Sequence, residues 1–149
     1  MTRGRQSGST SVEFALVLMA YLTVLLGLLD FSRMLFTWNA ANEATRWGAR
    51  TAVVCDKNAA AVLRNMQSIL PQLTADNVQV NWFDATGAPS ATCTTSTCAG
   101  VEVLIEDLDY VWISPIGFTA TRLFDMPGFA TYLPREIMGQ DPDSDVICN

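Results

Sequence analysis

The chain has 149 residues, 50% of them hydrophobic, and a net charge of -6 from 9 basic and 15 acidic side chains, with no histidine. That length holds one modest domain beyond a membrane segment. The acidic balance excludes the electrostatic footprint of a nucleic-acid binder, and the missing histidine with a single lysine, Lys57, removes the commonest general bases.

A short leader containing Arg3 and Arg5 ends at Gly8, and an almost unbroken apolar run follows from Val12 to Leu29 in which only Glu13 is charged. At about 1.5 Å per residue the run crosses most of a hydrocarbon core of roughly 30 Å. An acidic group at the centre of a membrane helix costs roughly 2.5 to 3.5 kcal/mol, less near the interface, so Glu13 needs a compensating charge. Hydrolysis of the Gly8–Ser9 bond would supply one, because Ser9 would become an amino terminus about one helical turn from Glu13. In a low-dielectric surround, within one chain or between neighbouring subunits, amine and carboxylate neutralise each other. Arg3 and Arg5 before the run, against Asp30 ahead of Arg33 after it, keep the amino end cytoplasmic and export the bulk of the chain. A cleavable secretory peptide fits less well: the run is longer than a usual signal core and no small-x-small site follows Leu29. An uncleaved signal anchor with Glu13 at the interface is the plainer alternative.

From Asp30 to Val54 there is no proline and Gly48 is the only glycine, so one helix is expected from Ser9 to Val54. Such a helix is roughly 70 Å long, half in the membrane and half a stalk. Glu43, Arg46 and Arg50 fall at helical spacing along one side, while Ala40, Ala44, Gly48 and Ala52 recur every fourth residue on another. A stripe of small residues lets backbones approach closely, either against a neighbouring helix or against the sheet of the same subunit. The spacing does not choose between these.

Beyond Cys55 the pattern becomes that of a compact mixed domain. Asp56 is suited to cap a second helix whose apolar residues, Ala59, Val62, Leu63, Met66, Ile69 and Leu70, keep helical spacing until Pro71 ends it. Val78, Val80 and Trp82 alternate with Gln79, Asn81 and Phe83, and Val101, Val103 and Ile105 alternate with Glu102 and Leu104, as half-buried strands do. The loop between these strands holds Gly87, Pro89, Cys93 and Cys98. Tyr110 to Ile113 either extends the second strand or begins the next turn, before Ser114, Pro115 and Gly117 interrupt the chain. The stretch from Phe118 to Phe124 suggests no element, and a third strand is expected near Phe129 to Leu133. The predicted class is α+β: a long amino-terminal transmembrane and stalk helix, a second amphipathic helix and a small antiparallel sheet of about three strands.

Cys55, Cys93, Cys98 and Cys148 all follow the apolar run, an even number in the part expected to face an oxidising space, which points to disulfides. Sequence leaves the pairing open. A Cys93–Cys98 bridge would close the short T-T-S-T loop and leave Cys55 for Cys148, tying the carboxyl end to the long helix. Without histidine a zinc site would need all four cysteines, whose spacing resembles neither a ribbon nor a knuckle, so no metal is expected. No Gly-rich phosphate loop is present, a Ser–Lys57 dyad is the single formal catalytic arrangement, and neither enzyme activity nor a cofactor is expected. Acidic residues cluster at Glu106, Asp107 and Asp109 and again at Asp141, Asp143 and Asp145. The second run invites a calcium reading but lacks the glycine and terminal glutamate of an EF-hand loop, so both read as solvated surface. Trp82 and Trp112 are expected in the core rather than as ligand platforms.

A basic leader ending in Gly8, followed by a hydrophobic helix with Glu13 at the fifth position after it, resembles the type IV prepilins. The segments V-E-F-A-L (Val12–Leu16), G-L-L-D-F-S-R (Gly27–Arg33), A-A-N-E-A (Ala40–Ala44) and W-G-A-R (Trp47–Arg50) resemble the TadE-like family of the tight-adherence pilus machinery over Ser11 to Val54. Two departures stand out: Met19 and Ala20 replace the proline often found shortly after the first block, and Phe14 replaces the tyrosine of major pilins, which points to a minor pilin. The resemblance implies a leader at 1–8 removed by prepilin peptidase, a transmembrane and stalk helix at 9–54 and an exported pilin-like α+β domain at 55–149. It further implies a minor pilin or pseudopilin in the inner membrane or in the extracellular pilus. Its partners would be prepilin peptidase, other major and minor pilins and inner-membrane assembly proteins, with Glu13 setting subunit register. A permanently anchored, uncleaved binding protein is the alternative.

Overall fold

The computed structural model describes residues 7–55, 60–93, 97–115, 117, 126–134 and 148, with backbone only for residues 7–9. The described residues form two compact units: those up to Leu35 together with Tyr110 to Gly117, and those from Phe36 to Asp109 together with those from Met126 onward. Five elements follow in order: α1 (Ser7–Val54), α2 (Ala60–Ile69), β1 (Val78–Phe83), β2 (Gly100–Ile105) and β3 (Phe129–Pro134). This is an α+β arrangement with one antiparallel sheet of order β1-β2-β3.

Helix α1 is uninterrupted for 48 residues, beginning two residues before the expected start. Leucine is the commonest residue of its first half, and hydroxyls along the helix bond back onto it. Thr23 Oγ1 donates to the Met19 carbonyl at 2.8 Å and Ser32 Oγ to the Leu28 carbonyl at 2.9 Å. A hydroxyl bonded four residues back leaves no donor exposed to an apolar surround.

In the second unit the register sorts the sheet residues into rows. Val78, Ile105 and Phe129 lie opposite one another, as do Val80, Val103 and Thr131, then Trp82, Val101 and Leu133. Within these rows Val101, Val103, Ile105, Phe129 and Trp82 are buried, while their neighbours Gln79, Ala130 and Tyr132 are exposed, the alternation of a sheet covered on one face. The second half of α1 covers that face. Trp38 meets Phe129 edge to face at 5.3 Å between ring centroids, Thr45 and Thr131 share a hydroxyl hydrogen bond of 2.9 Å, and Gly48 lies against Val103. Helix α2 buries Ala61, Val62 and Met66, with Met66 against Gly48 of α1, and Asn65 Nδ2 donates to Thr51 Oγ1 at 2.9 Å. On the outer face Phe83 and Tyr132 stack edge to face at 5.5 Å, and Gly100 sits beneath Tyr132, where a Cβ would collide with the phenol.

The amphipathic pattern of α2 and the three strands are where the sequence places them. The cap expected at Asp56, together with Ala59, lies outside the described residues, as does Phe118 to Phe124. Tyr110 to Ile113 is irregular and does not extend β2. The strand ends because Asp107 takes a left-handed backbone conformation, φ 51°, which no ladder accommodates. Asn77 fixes the bend by donating its amide to the carbonyl of Asp107 at 2.9 Å.

Within the second unit α1 approaches its neighbours closely at Gly48. A Cβ there would lie 2.6 Å from Met66 Sδ, 2.8 Å from Met66 Cγ and 3.2 Å from Val103 Cγ1. Gly48→Val is therefore expected to destabilise the second unit by about 1 to 3 kcal/mol through overpacking. In chemical denaturation of the detergent-solubilised chain, adding Met66→Ala should recover part of that loss, giving a favourable coupling energy in the double-mutant cycle.

Candidate functional site

The sequence-derived site residues divide along α1. Gly8 and Ser9 are in its first turns, and Glu13 is exposed about one turn further on. From Val12 to Leu29 the side chains are exposed or half-buried, and none of the most apolar window of the helix is buried within the chain. The helix is long and apolar enough to cross a membrane, which fits a membrane anchor. Among the described residues the ion pairs are Arg33–Asp30 and Arg46–Glu43, so Glu13 takes part in none.

Ala40, Ala44, Gly48 and Ala52 are all buried. Of the two uses open to this stripe, the second unit takes the intramolecular one: the small residues let α1 settle onto Val103 and Met66. Glu43, Arg46 and Arg50 are exposed on α1, with the Trp47 indole donating to Glu43 Oε1 at 2.9 Å. The cysteines are joined as Cys93–Cys98, with Cα atoms 5.1 Å apart, and Cys55–Cys148, 5.4 Å apart. The second pair links the end of α1 to the carboxyl-terminal residues.

Among the acidic residues, Glu106 accepts from the Gln79 side chain at 2.7 Å and Asp107 shapes the bend after β2. No group of acids and cysteines among the described residues could hold a metal ion. Asp84 closes the turn after β1, and the Thr86 hydroxyl, together with the amides of Thr86 and Ala88, holds its carboxyl below the usual carboxylate range. Lys57 and the run Asp141, Asp143 and Asp145 lie outside the described residues.

One group was read from sequence only as a topological marker. Asp30, directly after the apolar run, is 0% exposed although it sits on a helix whose preceding residues are open. The segment 110–115 covers it. Ile113 donates its amide to both carboxylate oxygens at 3.1 Å, Ser114 donates its amide to Oδ2 at 2.6 Å, and Arg33 approaches Oδ1 at 3.3 Å. The Tyr110 hydroxyl donates to the Asp30 carbonyl at 2.9 Å, and the Arg33 guanidinium lies over the Tyr110 ring, 5.6 Å from its centroid. Burial pushes the Asp30 carboxyl up, but the Ser114 side chain, the two amides and the Arg33 charge outweigh it and hold the carboxyl lowered. The Ser114 hydroxyl is a nearby dipole with no hydrogen bond among the described residues, so the two amides carry the interaction. Trp112 folds back on Tyr110 edge to face at 5.2 Å, and Gly117 is required beside it because a Cβ would collide with Trp112 Cβ.

Asp30→Ala should release the segment. Hydrogen-exchange protection at the Ile113 and Ser114 amides is expected to fall on the order of 10- to 100-fold, the equivalent of about 1.5 to 3 kcal/mol for hydrogen bonds to a charged acceptor. Because folding lowers this carboxyl, its contribution is complete at neutral pH and is lost as the pH falls below about 4. Protection factors corrected for intrinsic exchange should therefore show an acid step in the native chain that the alanine variant lacks.

The family model described as TadE-like protein matches residues 8–50, less than a third of the 149-residue chain. The match runs from Gly8 to Arg50, takes in Glu13 and Asp30, and stops before α2 and the sheet. No curated protein and no solved structure matches the chain. The TadE-like family points to Tad pilus systems and to association with pilus components and membrane. Residues 8–50 of this chain are thus a TadE-like segment, the family whose motifs the sequence resembles.

Proposed function

We propose that the chain is a minor pilin or pseudopilin of a tight-adherence type IV pilus. Prepilin peptidase cuts it after Gly8, and α1 then anchors it in the inner membrane with the remainder exported. The observation that carries this reading is the contrast between two acids on one helix. Asp30 is buried and has its donors within the chain, whereas Glu13 is exposed on the most apolar stretch and enters no ion pair among the described residues. A carboxylate left so in hydrocarbon needs a cation, and the amine created at Ser9 is at the right distance, about one turn, to supply it on the same or an adjacent subunit.

Three features support the reading. The family match begins at Gly8, leaving the basic leader outside it. The Gly8–Ser9 bond lies in the first turn of α1, where amides lack intrahelical acceptors and the helix opens most readily for a peptidase. The two disulfides suit an oxidising compartment beyond the membrane. Because the small-residue stripe is occupied within the subunit, contacts with other pilins fall to the exposed apolar half of α1.

The amino-terminal residue of the mature protein is the first test: Ser9 supports the proposal, and Met1 or Thr2 on protein from pilus-forming cells supports the uncleaved anchor instead. Gly8→Leu should block processing, seen as an undiminished mass of the membrane-extracted chain. Glu13→Ala should leave the mass of the processed chain normal while lowering its incorporation into filaments at least about tenfold, since an unpaired ammonium in a low-dielectric surround costs several kcal/mol. Normal incorporation of that variant would remove Glu13 from the mechanism.

A further inference from the structure

We infer that Val111, Trp112 and Ile113 form a second membrane contact, seated in the boundary between headgroups and acyl chains where α1 leaves the bilayer. The inference rests on the reading of Val12 to Leu29 as a membrane span and goes beyond it. The level of the segment is set by its bonds to Asp30, the first residue after that span. With the Ile113 amide 3.1 Å and the Ser114 amide 2.6 Å from the Asp30 carboxylate, the segment is fixed at the depth at which the helix emerges. What it presents there is apolar: Val111 is 76% exposed and Ile113 58% exposed, and no charged residue lies between Tyr110 and Pro115.

Its surroundings are continuous with the span. Leu28, Phe31 and Leu35, at helical spacing on one face of α1, are also exposed, so the apolar surface does not stop at Leu29. Tyr110 and Trp112 form an edge-to-face pair within the segment, the aromatic types that favour the level of the headgroups. Irregular backbone is costly near hydrocarbon because its amides lose water, but here the amides of Ile113 and Ser114 already have an anionic acceptor. Arg33, bridging Asp30 and the Tyr110 ring, places a cation at the same level, where lipid phosphates lie. Two exposed apolar side chains on a charge-free turn, held at this depth, match a lipid boundary.

Site-directed spin labelling of the full chain in lipid vesicles tests it. The native cysteines are disulfide-bonded, so a Val111→Cys variant offers one free thiol for a nitroxide, and mass spectrometry verifies a single label. Ile113→Cys is the second variant should the first misfold. Collision rates with oxygen, enriched in lipid, and with a nickel chelate, enriched in water, are compared with labels at Val24 within the span and at Thr86 in the exposed turn after β1. The expected result is an oxygen-to-nickel ratio at position 111 several-fold above that at Thr86 and below that at Val24. A ratio equal to that at Thr86 shows the segment in water and overturns the inference while the Val24 label still reports an inserted span. A label shielded from both reagents means a protein covers the segment and also overturns it. A water-like Val24 label ends the membrane reading and this inference together.

Discussion

Helix α1 carries a long run of exposed apolar side chains and, within it, one buried acid, Asp30, whose donors must come from elsewhere in the chain. On either side of it along the helix, side chains are exposed or half-buried, and the hydroxyls of Thr23 and Ser32 fold back onto their own helix. At it, a carboxylate is withdrawn from solvent and given two amides and a guanidinium. A buried carboxylate without donors would cost several kcal/mol, so the segment from Tyr110 to Ser114 is held where those donors are needed. The connection between β2 and β3 is long because it includes this segment.

The second unit is governed by a different constraint, close approach. Ala40, Ala44, Gly48 and Ala52 leave α1 without bulk on one face, and bulk is supplied from across the interface by Val103, Met66 and Phe129. The hydrogen bond between the Thr45 and Thr131 hydroxyls ties helix to sheet at one position along their interface. Small residues on the helix and large ones on the sheet and α2 form one interface, and changing either side alone produces a clash or a cavity.

Elements whose partners lie nearby in sequence were legible from it. The span of α1 follows from the absence of proline, α2 from apolar spacing ended by Pro71, and the strands from alternation such as Val78, Val80 and Trp82. The direction of the small-residue stripe was not, because a neighbouring helix and a sheet make the same demand for Ala and Gly every fourth residue. Nor was the fate of Tyr110 to Ile113, whose run of β-branched and aromatic residues has the composition of a strand. Its ladder donors go to Asp30 instead, 83 and 84 residues away in sequence. The one local signal, an acid placed directly after an apolar run, reads equally well as a charge that sets topology. Only the three-dimensional arrangement distinguishes an acid that faces water from one that collects amides.

The two acids of α1 pose the same electrostatic problem with different solutions available. Asp30 is solved within the folded subunit, so its neighbours can be ordered before any assembly takes place. Glu13 has no such solution among the described residues, and the stripe that could have drawn another helix close is already occupied. Under the proposed role this division is useful. A subunit stored alone in the membrane keeps an unsatisfied carboxylate near one end of its anchor, and the favourable energy of pairing it is released only when an ammonium arrives in the right register. Apolar surface alone would attract neighbouring helices without fixing their relative height, because lipid tails are as apolar as leucine and packing is nearly uniform along such a helix. One charge per subunit supplies the missing coordinate along the helix axis.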